Sequence, residues 1–192
     1  MASMAVTRYL PQEYLEIERK AETKSEYYRG EIFAMAGASR RHGTIVFNCN
    51  RLIGNQILGG RCEGFTSDMR VEIRGGAAYY YPDIVIGCGD LQFVDNQGDT
   101  LRNPTVVIEV LSPTTAVYDR GLKFVEYRSI PSLQEYVTIA QDAVRVELYV
   151  RQSDEVWLLT DLNKQDDTLT LASIGCEIKL ADIYRGVTFE NA

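Results

Sequence analysis

The chain has 192 residues, of which 45% are hydrophobic and 24% are charged, so it is large enough for one domain with a sizeable core. Its formal net charge of −7 counts against a broad nucleic-acid-binding surface, which usually needs clustered basic residues. A small electropositive cleft is compatible with this charge, because a bound metal supplies local positive charge. We expect a single domain over residues 1–192, with residues 1–10 as a mobile tail.

The cysteines and the N-terminus predict the cellular compartment of the protein. The four cysteines are scattered and form no CxxC pair, which argues against a zinc ribbon or a thioredoxin-like site. Free thiols in a reducing cytoplasm are the simplest interpretation. No stretch of about 18 apolar residues occurs, and the N-terminus lacks the apolar core of a signal peptide. We therefore expect a cytoplasmic protein that does not contact a membrane.

The first part of the chain predicts a helix, a hairpin and a second helix. Pro11–Arg19 is typical of a short helix with proline near its start, and Ser25–Met35 of a hairpin that turns near Arg29-Gly30. Ser39 is a good N-cap for a helix from Arg40 to about Leu58. One face of that helix should be buried, because residues with three- and four-residue spacing share it. These residues are His42, Ile45, Val46, Cys49, Leu52, Ile53 and Gln56.

Three strands are predicted in the middle of the chain. Asp68–Arg74 alternates between apolar and polar residues, which predicts one solvent-exposed face, and Gly75-Gly76 supplies the following turn. Tyr79–Ile86 is predicted as the second strand. Thr105–Leu111 is almost entirely β-branched or aliphatic, which favours a central strand covered on both faces.

The last part of the chain predicts a helix, several strands and a final helical turn. The segments are Val117–Arg128 (helix), Gln134–Ala140, Ala143–Val150, Val156–Leu159 and Thr168–Leu171 (strands), and Leu180–Tyr184 (helical turn). The whole pattern predicts an α/β or α+β fold with a mixed sheet flanked by a few helices. The apolar strands near the C-terminus could leave an edge exposed, so we expect a homo-oligomer, most simply a dimer.

Two carboxylates occur in runs that otherwise predict buried strands. Asp83 begins the apolar run after Tyr81-Pro82, and Glu109 lies inside Thr105–Leu111. An unpaired buried carboxylate costs several kcal/mol, and a divalent metal shared by both would remove that cost. Magnesium prefers oxygen ligands and can activate water and neutralise a phosphate. The alternatives are an ion pair of Glu109 with an Arg or Lys, and a turn-capping role for Asp83.

A lysine on the next predicted helix would complete a phosphodiester-cleaving site. Asp119 and Lys123 are four residues apart and share a helix face. Lys123 could orient the attacking water or stabilise the charge on the phosphate. The alternative is an exposed ion pair worth a few tenths of a kcal/mol. Tyr127 either lines the same cleft or packs in the core.

Three further residues have weaker claims to the site. His42, the one histidine, could be a metal ligand or a proton carrier, although a lone histidine on an apolar face is more often a core residue. Glu26 and Glu31 flank the first hairpin, where solvated strand charges are the favoured interpretation. Serine hydrolase and P-loop chemistry are disfavoured, because the chain has no GxSxG and no GxxxxGK[ST] sequence.

These residues give the chain a resemblance to the Uma2 family of bacterial proteins, formerly grouped as a domain of unknown function. The resemblance covers residues from about Tyr9 to Phe189. That family is placed in the PD-(D/E)XK nuclease superfamily, so the resemblance implies a restriction-endonuclease-like fold with a central mixed β-sheet flanked by helices. The matching segments are Glu26–Ile32, His42, Tyr81–Ile86, Val107–Pro113, Tyr118–Lys123 and Tyr127.

The resemblance also implies roles for individual residues. Pro82-Asp83 matches the PD element, and Glu109 matches the acidic residue of the (D/E)XK element. Leu111 stands at the usual lysine position, and Lys123 on the following helix looks like its substitute. His42 looks like the residue that enters from the preceding helix.

The leading hypothesis is a metal-dependent endonuclease that hydrolyses DNA phosphodiester bonds. Asp83 and Glu109, with the Val110 carbonyl, would hold Mg²⁺ or Mn²⁺, while Lys123 and His42 would assist catalysis. The alternative is a catalytically inactive nuclease-fold domain used for binding or assembly, which the acidic charge and Leu111 favour. A metal-dependent hydrolase of a small phosphoester is a third option.

Overall fold

The computed structural model of the chain describes residues 7–112 and 116–189. The helices are α1 (Pro11–Glu18), α2 (Arg40–Ile57), α3 (Ala116–Tyr118), α4 (Phe124–Tyr127) and α5 (Leu180–Ile183), and a π-helical turn (Asp119–Lys123) joins α3 to α4. The strands are β1 (Ser25–Tyr28), β2 (Glu31–Ala34), β3 (Cys62–Thr66), β4 (Arg70–Ile73), β5 (Ala78–Tyr80), β6 (Ile84–Cys88), β7 (Thr100–Leu101), β8 (Val106–Leu111), β9 (Glu135–Ala140), β10 (Val146–Arg151), β11 (Trp157–Leu162), β12 (Thr168–Leu171) and β13 (Cys176–Lys179).

A six-stranded mixed sheet forms the centre of the described structure. Its strand order is β11-β10-β9-β8-β6-β3, with β8 and β9 parallel and the other neighbours antiparallel. All six residues of β8 are buried, as the β-branched and aliphatic composition predicts. A five-stranded sheet (β2-β1-β5-β4-β7) and a two-stranded sheet (β12-β13) lie beside it.

The central sheet has a hydrophobic core on each face. On one face Ile108 packs with Ile45 of α2. On the other face Val107 packs with Tyr80 of the five-stranded sheet and with Tyr127 of α4. Neighbouring residues of a strand point to opposite faces, so Glu109 belongs to the face of Val107. The predicted α+β class, with a central mixed sheet flanked by helices, is confirmed.

The first hairpin and the second helix form where the sequence predicts them. Arg29 and Gly30 both have positive φ angles, 48° and 95°, which a two-residue hairpin turn of this kind requires. The Ser39 hydroxyl accepts a hydrogen bond from the His42 backbone N–H at 3.1 Å, so Ser39 caps α2 as predicted.

Two of the predicted central strands need correction. The predicted exposed face of Asp68–Arg74 is wrong, because all four residues of β4 are buried between β5 and β7. The predicted single strand Tyr79–Ile86 is also wrong. It divides into β5 and β6, which belong to different sheets. Pro82 has no N–H to donate, which suits it to the break. Asp83 therefore sits at the crossover between the two sheets.

The helix predicted over Val117–Arg128 is irregular. Its Asp119–Lys123 segment forms a π-helical turn, a feature that recurs at functional sites. Three strands, β3, β7 and β13, were absent from the predicted set. Strand β3 lies at a sheet edge and contains a glycine, and β7 has two residues, so their patterns are weak.

The prediction of four free cysteines is wrong for one pair. Cys62 and Cys88 lie opposite each other on β3 and β6 and form a disulfide with a Cα–Cα distance of 4.0 Å. Cys49 and Cys176 are free and buried. The scattered spacing gave no indication of this pairing, because β3 was not recognised as a strand. The cytoplasmic location inferred from free thiols stays a prediction.

Thiol titration checks the disulfide. Protein purified without reductant and then denatured should show two reactive thiols per chain, and protein treated with reductant should show four. Replacing Cys62 and Cys88 with serine should lower the free energy of unfolding by about 3 kcal/mol, because the bond closes a loop between residues 26 positions apart. Four thiols in the untreated protein would contradict the pairing.

The N-terminal tail is described only from residue 7. The Tyr9 backbone N–H donates to the Gly30 carbonyl at 2.9 Å, and Arg8 pairs with Glu31, so residues 8 and 9 contact the first hairpin. Residues 1–6 of the predicted tail lie outside the described residues. None of the helices in residues 7–112 and 116–189 is long and apolar enough to cross a bilayer.

Candidate functional site

Glu109 is buried in the middle of β8 and is neutralised from the adjacent helix. Its Oε1 lies 3.0 Å from Nζ of Lys123, and it also accepts a hydrogen bond of 3.3 Å from the Tyr127 hydroxyl. Tyr127 is fully buried and packs in the core, as the second interpretation of this residue predicts, and its hydroxyl reaches Glu109 from there. Glu109 is therefore paired with a lysine, as the ion-pair alternative for Glu109 predicted. This lysine is Lys123, which was also predicted for the catalytic site.

Lys123 is the shared counter-ion of three carboxylates. Its Nζ lies 2.9 Å from Glu26, 3.0 Å from Glu109 and 3.7 Å from Asp119. The same ammonium stands 5.3 Å from the centre of the Tyr80 ring, a distance suited to a cation–π contact. The alternative of an exposed ion pair with Asp119 is wrong, because both side chains are buried.

The acid cluster favours the charged form of Lys123. Burial opposes that form, but Glu109, Glu26 and Asp119 outweigh it and raise the pKa of Lys123 well above its usual value. Burial also raises the pKa of Glu109 well above 4.5, against the pull of Lys123 and with repulsion from Asp119 and Asp83. Glu109 and Lys123 form one ion pair. The raised pKa of Glu109 favours its neutral form, whereas the raised pKa of Lys123 favours its charged form. Lys123 is in the charged ammonium form, because three carboxylates contact it.

Asp83 is held beside Glu109 by the register of two strands. Ile84 of β6 pairs with Ile108 of β8, so the next step along the same register sets Asp83 opposite Glu109. Its Oδ2 accepts a hydrogen bond of 2.7 Å from the Val110 backbone N–H. This contact shows that Asp83 turns toward β8, and the charge of Asp83 contributes to the raised pKa of Glu109.

His42 reaches Asp83 from the opposite face of the sheet. Its Nε2 lies 3.1 Å from Oδ2 of Asp83, and its buried Nδ1 makes no hydrogen bond to the described residues. Burial lowers the pKa of His42, but the hydrogen bond and the charge of Asp83 outweigh burial, so the pKa is raised above 6.5. Asp83 is therefore oriented by His42 and Val110 rather than by a turn-capping contact.

The strand break explains how residues from two faces meet. Helix α2 packs on one face of the central sheet and the π-helical turn packs on the other. Asp83 immediately precedes the first residue of β6, and His42 contacts it there. Of the predicted residues, Lys123 contacts Glu109 directly, while His42 contacts Asp83. The two pairs are linked through the adjacent residues Glu109 and Val110.

Glu26 belongs to this cluster, although solvation was the favoured prediction for it. Besides Lys123, its Oε1 accepts a hydrogen bond from the Tyr81 backbone N–H at 3.3 Å. Glu31 follows the prediction, since it pairs with Arg8 at the surface. Nothing in the hairpin sequence indicated that Glu26 contacts Lys123, because the two residues are far apart along the chain.

The donor set suits a hard divalent cation. Asp83, Glu109 and the Val110 carbonyl offer oxygen atoms, which Mg²⁺ and Mn²⁺ prefer. A buried carboxyl whose pKa is raised, as in Glu109, gains from a nearby cation. Within the described residues, however, no three His, Cys, Asp or Glu side chains are arranged as a ready ligand set. In this arrangement the Lys123 ammonium supplies the positive charge among the acids.

One cavity of the described structure adjoins α2 and lies outside this cluster. It has a volume of about 600 Å³ and is lined by the first turn of α2, including Arg40 and Arg41, and by residues 186–188. Neither Asp83 nor Glu109 lines it. The first turn of α2, which lines this cavity, also carries His42 of the candidate site.

Comparison with known proteins identifies the family. The model of the Uma2 family, described as "Putative restriction endonuclease", matches residues 11–181. The chain belongs to the Uma2 family. The matched range contains His42, Asp83, Glu109 and Lys123, and the membership predicted from the sequence is confirmed.

Relatives and a solved structure agree with this Uma2 assignment. An uncharacterized protein of Synechocystis sp. is 42% identical over 163 residues, which cover 84% of this chain and 92% of the relative. A second one from the same organism is 39% identical over 180 residues, which cover 93% of each chain. The crystal structure of a "putative nuclease belonging to DUF820" from Anabaena variabilis superposes with a TM-score of 0.74.

The structural likeness settles the fold of this Uma2 chain. The superposition covers 94% of this chain and 99% of the Anabaena protein, at 20% sequence identity. At that identity the likeness concerns the fold alone. The restriction-endonuclease-like architecture predicted from the sequence is confirmed, and the chemistry must be argued from the residues of this chain.

Proposed function

We propose that this Uma2 protein is a divalent-metal-dependent endonuclease that hydrolyses DNA phosphodiester bonds. The observation that carries the proposal is the buried cluster in which Lys123 contacts Glu109 while Asp83 lies beside them at the end of β6. Titratable groups with strongly shifted pKa values, such as Glu109 and Lys123, cluster at functional sites. The description of the Uma2 family as "Putative restriction endonuclease" supports the same reaction class.

Asp83, Glu109 and the Val110 carbonyl are the residues that would hold Mg²⁺ or Mn²⁺. Such an ion supplies Lewis-acid stabilisation of the phosphate and a more acidic bound water. Glu26, Asp83, Glu109 and Asp119 outnumber the charge of Lys123, so the cation-free site repels a phosphate diester.

Lys123 and His42 have distinct proposed roles. The Lys123 ammonium, held charged by its acidic neighbours, stabilises the negative charge that develops on the phosphate or orients the attacking water. His42 holds the Asp83 carboxylate through its Nε2 contact. The Val110 N–H fixes the same carboxylate oxygen from β8, so Asp83 is positioned from both sides.

A cleavage assay tests this function. Plasmid DNA and labelled oligonucleotides are incubated with the full chain and Mg²⁺ or Mn²⁺, and Asp83→Ala and Glu109→Ala serve as paired controls. We expect metal-dependent cleavage by the wild-type chain and none above background by either variant. Activity that survives both substitutions would show that the nuclease activity resides elsewhere.

The alternative is a catalytically inactive nuclease-fold domain used for binding or assembly. The specific observation in its favour is that Lys123 is already engaged with Glu26, Glu109 and Asp119, while Leu111 stands where the superfamily usually has its lysine. Mn²⁺ calorimetry separates the two functions. A site that takes up no Mn²⁺ at millimolar concentration supports the inactive domain.

Self-association through β11 is part of the same proposal. This strand ends the described six-stranded sheet, so one of its edges has no strand partner there. Leu158 and Leu159 are 55% and 50% exposed on its two faces. An apolar edge of this kind pairs readily with a second copy, which would join two central sheets into one.

Light scattering after gel filtration checks the dimer. Replacing Leu158 and Leu159 with lysine should convert a dimer of the wild-type chain into a monomer, because charged edge strands resist pairing. Leu58→Lys is a matched control, since Leu58 is exposed just after α2. An unchanged mass for the double variant would refute pairing through β11.

A further inference from the structure

The first hairpin has two different faces, and one adjoins the candidate site. Residues directly opposite each other in an antiparallel pair project from the same face. Tyr27 pairs with Ile32, and this face packs into a buried aromatic cluster with Tyr79. Glu26 pairs with Phe33 on the opposite face. The hairpin therefore packs against the protein with one face and presents Phe33 with the other.

The hairpin face that carries Glu26 and Phe33 is oriented by Glu26. Its contact with Lys123 turns the face toward the acid cluster. Opposite residues have Cβ atoms about 5 Å apart, so Phe33 stands next to Glu26 at the rim of the site. Met35 is two residues farther on and falls on the same face. Its N–H still pairs with the Lys24 carbonyl at 3.0 Å.

The two apolar side chains at this rim are exposed. Phe33 is 49% exposed and Met35 is 37% exposed, whereas Tyr27 and Tyr79 on the other face are buried. Scattered exposed apolar residues are normal on a protein surface, but these two lie on one hairpin face, next to a residue of the buried charge cluster. The pair therefore adjoins Glu26, which contacts Lys123 of the candidate site.

We propose that Phe33, supported by Met35, is a stacking platform for an unpaired nucleotide base, so that the substrate class is DNA with a single-stranded segment. This inference rests on the proposed function, because a strand whose phosphate reaches Lys123 has its attached sugar and base at the rim beside Glu26. A planar ring offers its face to any base, so the contact is indifferent to sequence.

Base pairing determines which kind of DNA can stack on Phe33. In a duplex the bases are stacked inside the helix, and their flat faces are unavailable to a side chain at the backbone. An unpaired base exposes that face and can stack on Phe33.

Fluorescence anisotropy tests the platform. The wild-type full chain, with Ca²⁺ replacing Mg²⁺, is titrated into labelled oligothymidylate of roughly 12 nucleotides and into a duplex of equal length. We expect tighter binding of the single strand. Phe33→Ala should weaken single-strand binding about tenfold and leave duplex binding unchanged, while Phe33→Trp should retain the affinity. Phe47→Ala, which alters an exposed phenylalanine on α2, is the matched control.

Three results would overturn the inference: no binding of the single strand, an equal loss of duplex affinity in Phe33→Ala, or no loss at all. The Mg²⁺-dependent cleavage assay on the same chains separates this inference from the proposed function. Phe33-dependent single-strand binding without cleavage contradicts the endonuclease and leaves the platform standing. Cleavage with binding that ignores Phe33→Ala contradicts the platform alone.

Discussion

Lys123→Met is expected to slow DNA cleavage by about 10²–10³-fold, the usual cost of removing one group that stabilises transition-state charge. The same substitution should strengthen Mn²⁺ binding. Lys123 is the counter-ion of Glu26, Glu109 and Asp119, and its removal leaves those carboxylates with more negative charge for an added cation. Cleavage and metal affinity should therefore change in opposite directions.

Rates from single-turnover cleavage and affinities from calorimetry measure the two quantities separately. Lys164→Met is the matched control, because it removes an exposed lysine far along the chain and should change neither value. If Lys123→Met weakens Mn²⁺ binding and cleavage together, Lys123 is supporting the structure of the metal site. If cleavage is unchanged, the proposed substitute for the usual lysine at position 111 is wrong.

Lys123→Met is also expected to lower the free energy of unfolding by about 3–5 kcal/mol at neutral pH without metal, because an uncompensated buried charge costs this much. Glu109→Gln should cost far less, since Lys123 keeps two other acidic partners, Glu26 and Asp119. The asymmetry follows from the arrangement of one ammonium group among three carboxylates.

Urea unfolding in the presence of a chelator measures these free energies. The pKa of Glu109 is raised in the folded protein, so its favourable contribution is complete below its unfolded pKa near 4.5 and is lost as the pH rises through the folded value. The defect of Lys123→Met should accordingly shrink toward pH 4.5, and Mn²⁺ should restore stability at neutral pH. Equal losses for Lys123→Met and Glu109→Gln would contradict the shared counter-ion.

The elements with strong periodic patterns could be predicted from the sequence. Strand β8 is a continuous apolar run around Glu109, and α2 carries an apolar stripe and a serine cap, so both were placed within one or two residues. Asp83 and Glu109 stood out for the same reason, because a carboxylate in an apolar run is an exception that needs a partner. The spacing of Asp119 and Lys123 indicated a shared helix face.

The remaining features depend on contacts that local patterns do not encode. The exposed and the covered faces of a hairpin look alike in sequence, so Glu26 was assigned to solvent. The division of Tyr79–Ile86 between two sheets arises from long-range pairing, and the π-helical turn arises from the way Lys123 docks on β8. The disulfide required the register of β3 against β6, which places Cys62 opposite Cys88.

Calorimetric titration with Mn²⁺ tests the central claim most directly. The wild-type chain should bind one ion per chain at millimolar concentration or below, and Asp83→Asn and Glu109→Gln should each abolish or strongly weaken that binding while the fold is retained. Glu63→Gln, which changes an exposed carboxylate on the edge strand β3, should leave it intact. Absence of binding by the wild-type chain, or binding that is unchanged in both variants, would contradict a metal site built on Asp83 and Glu109.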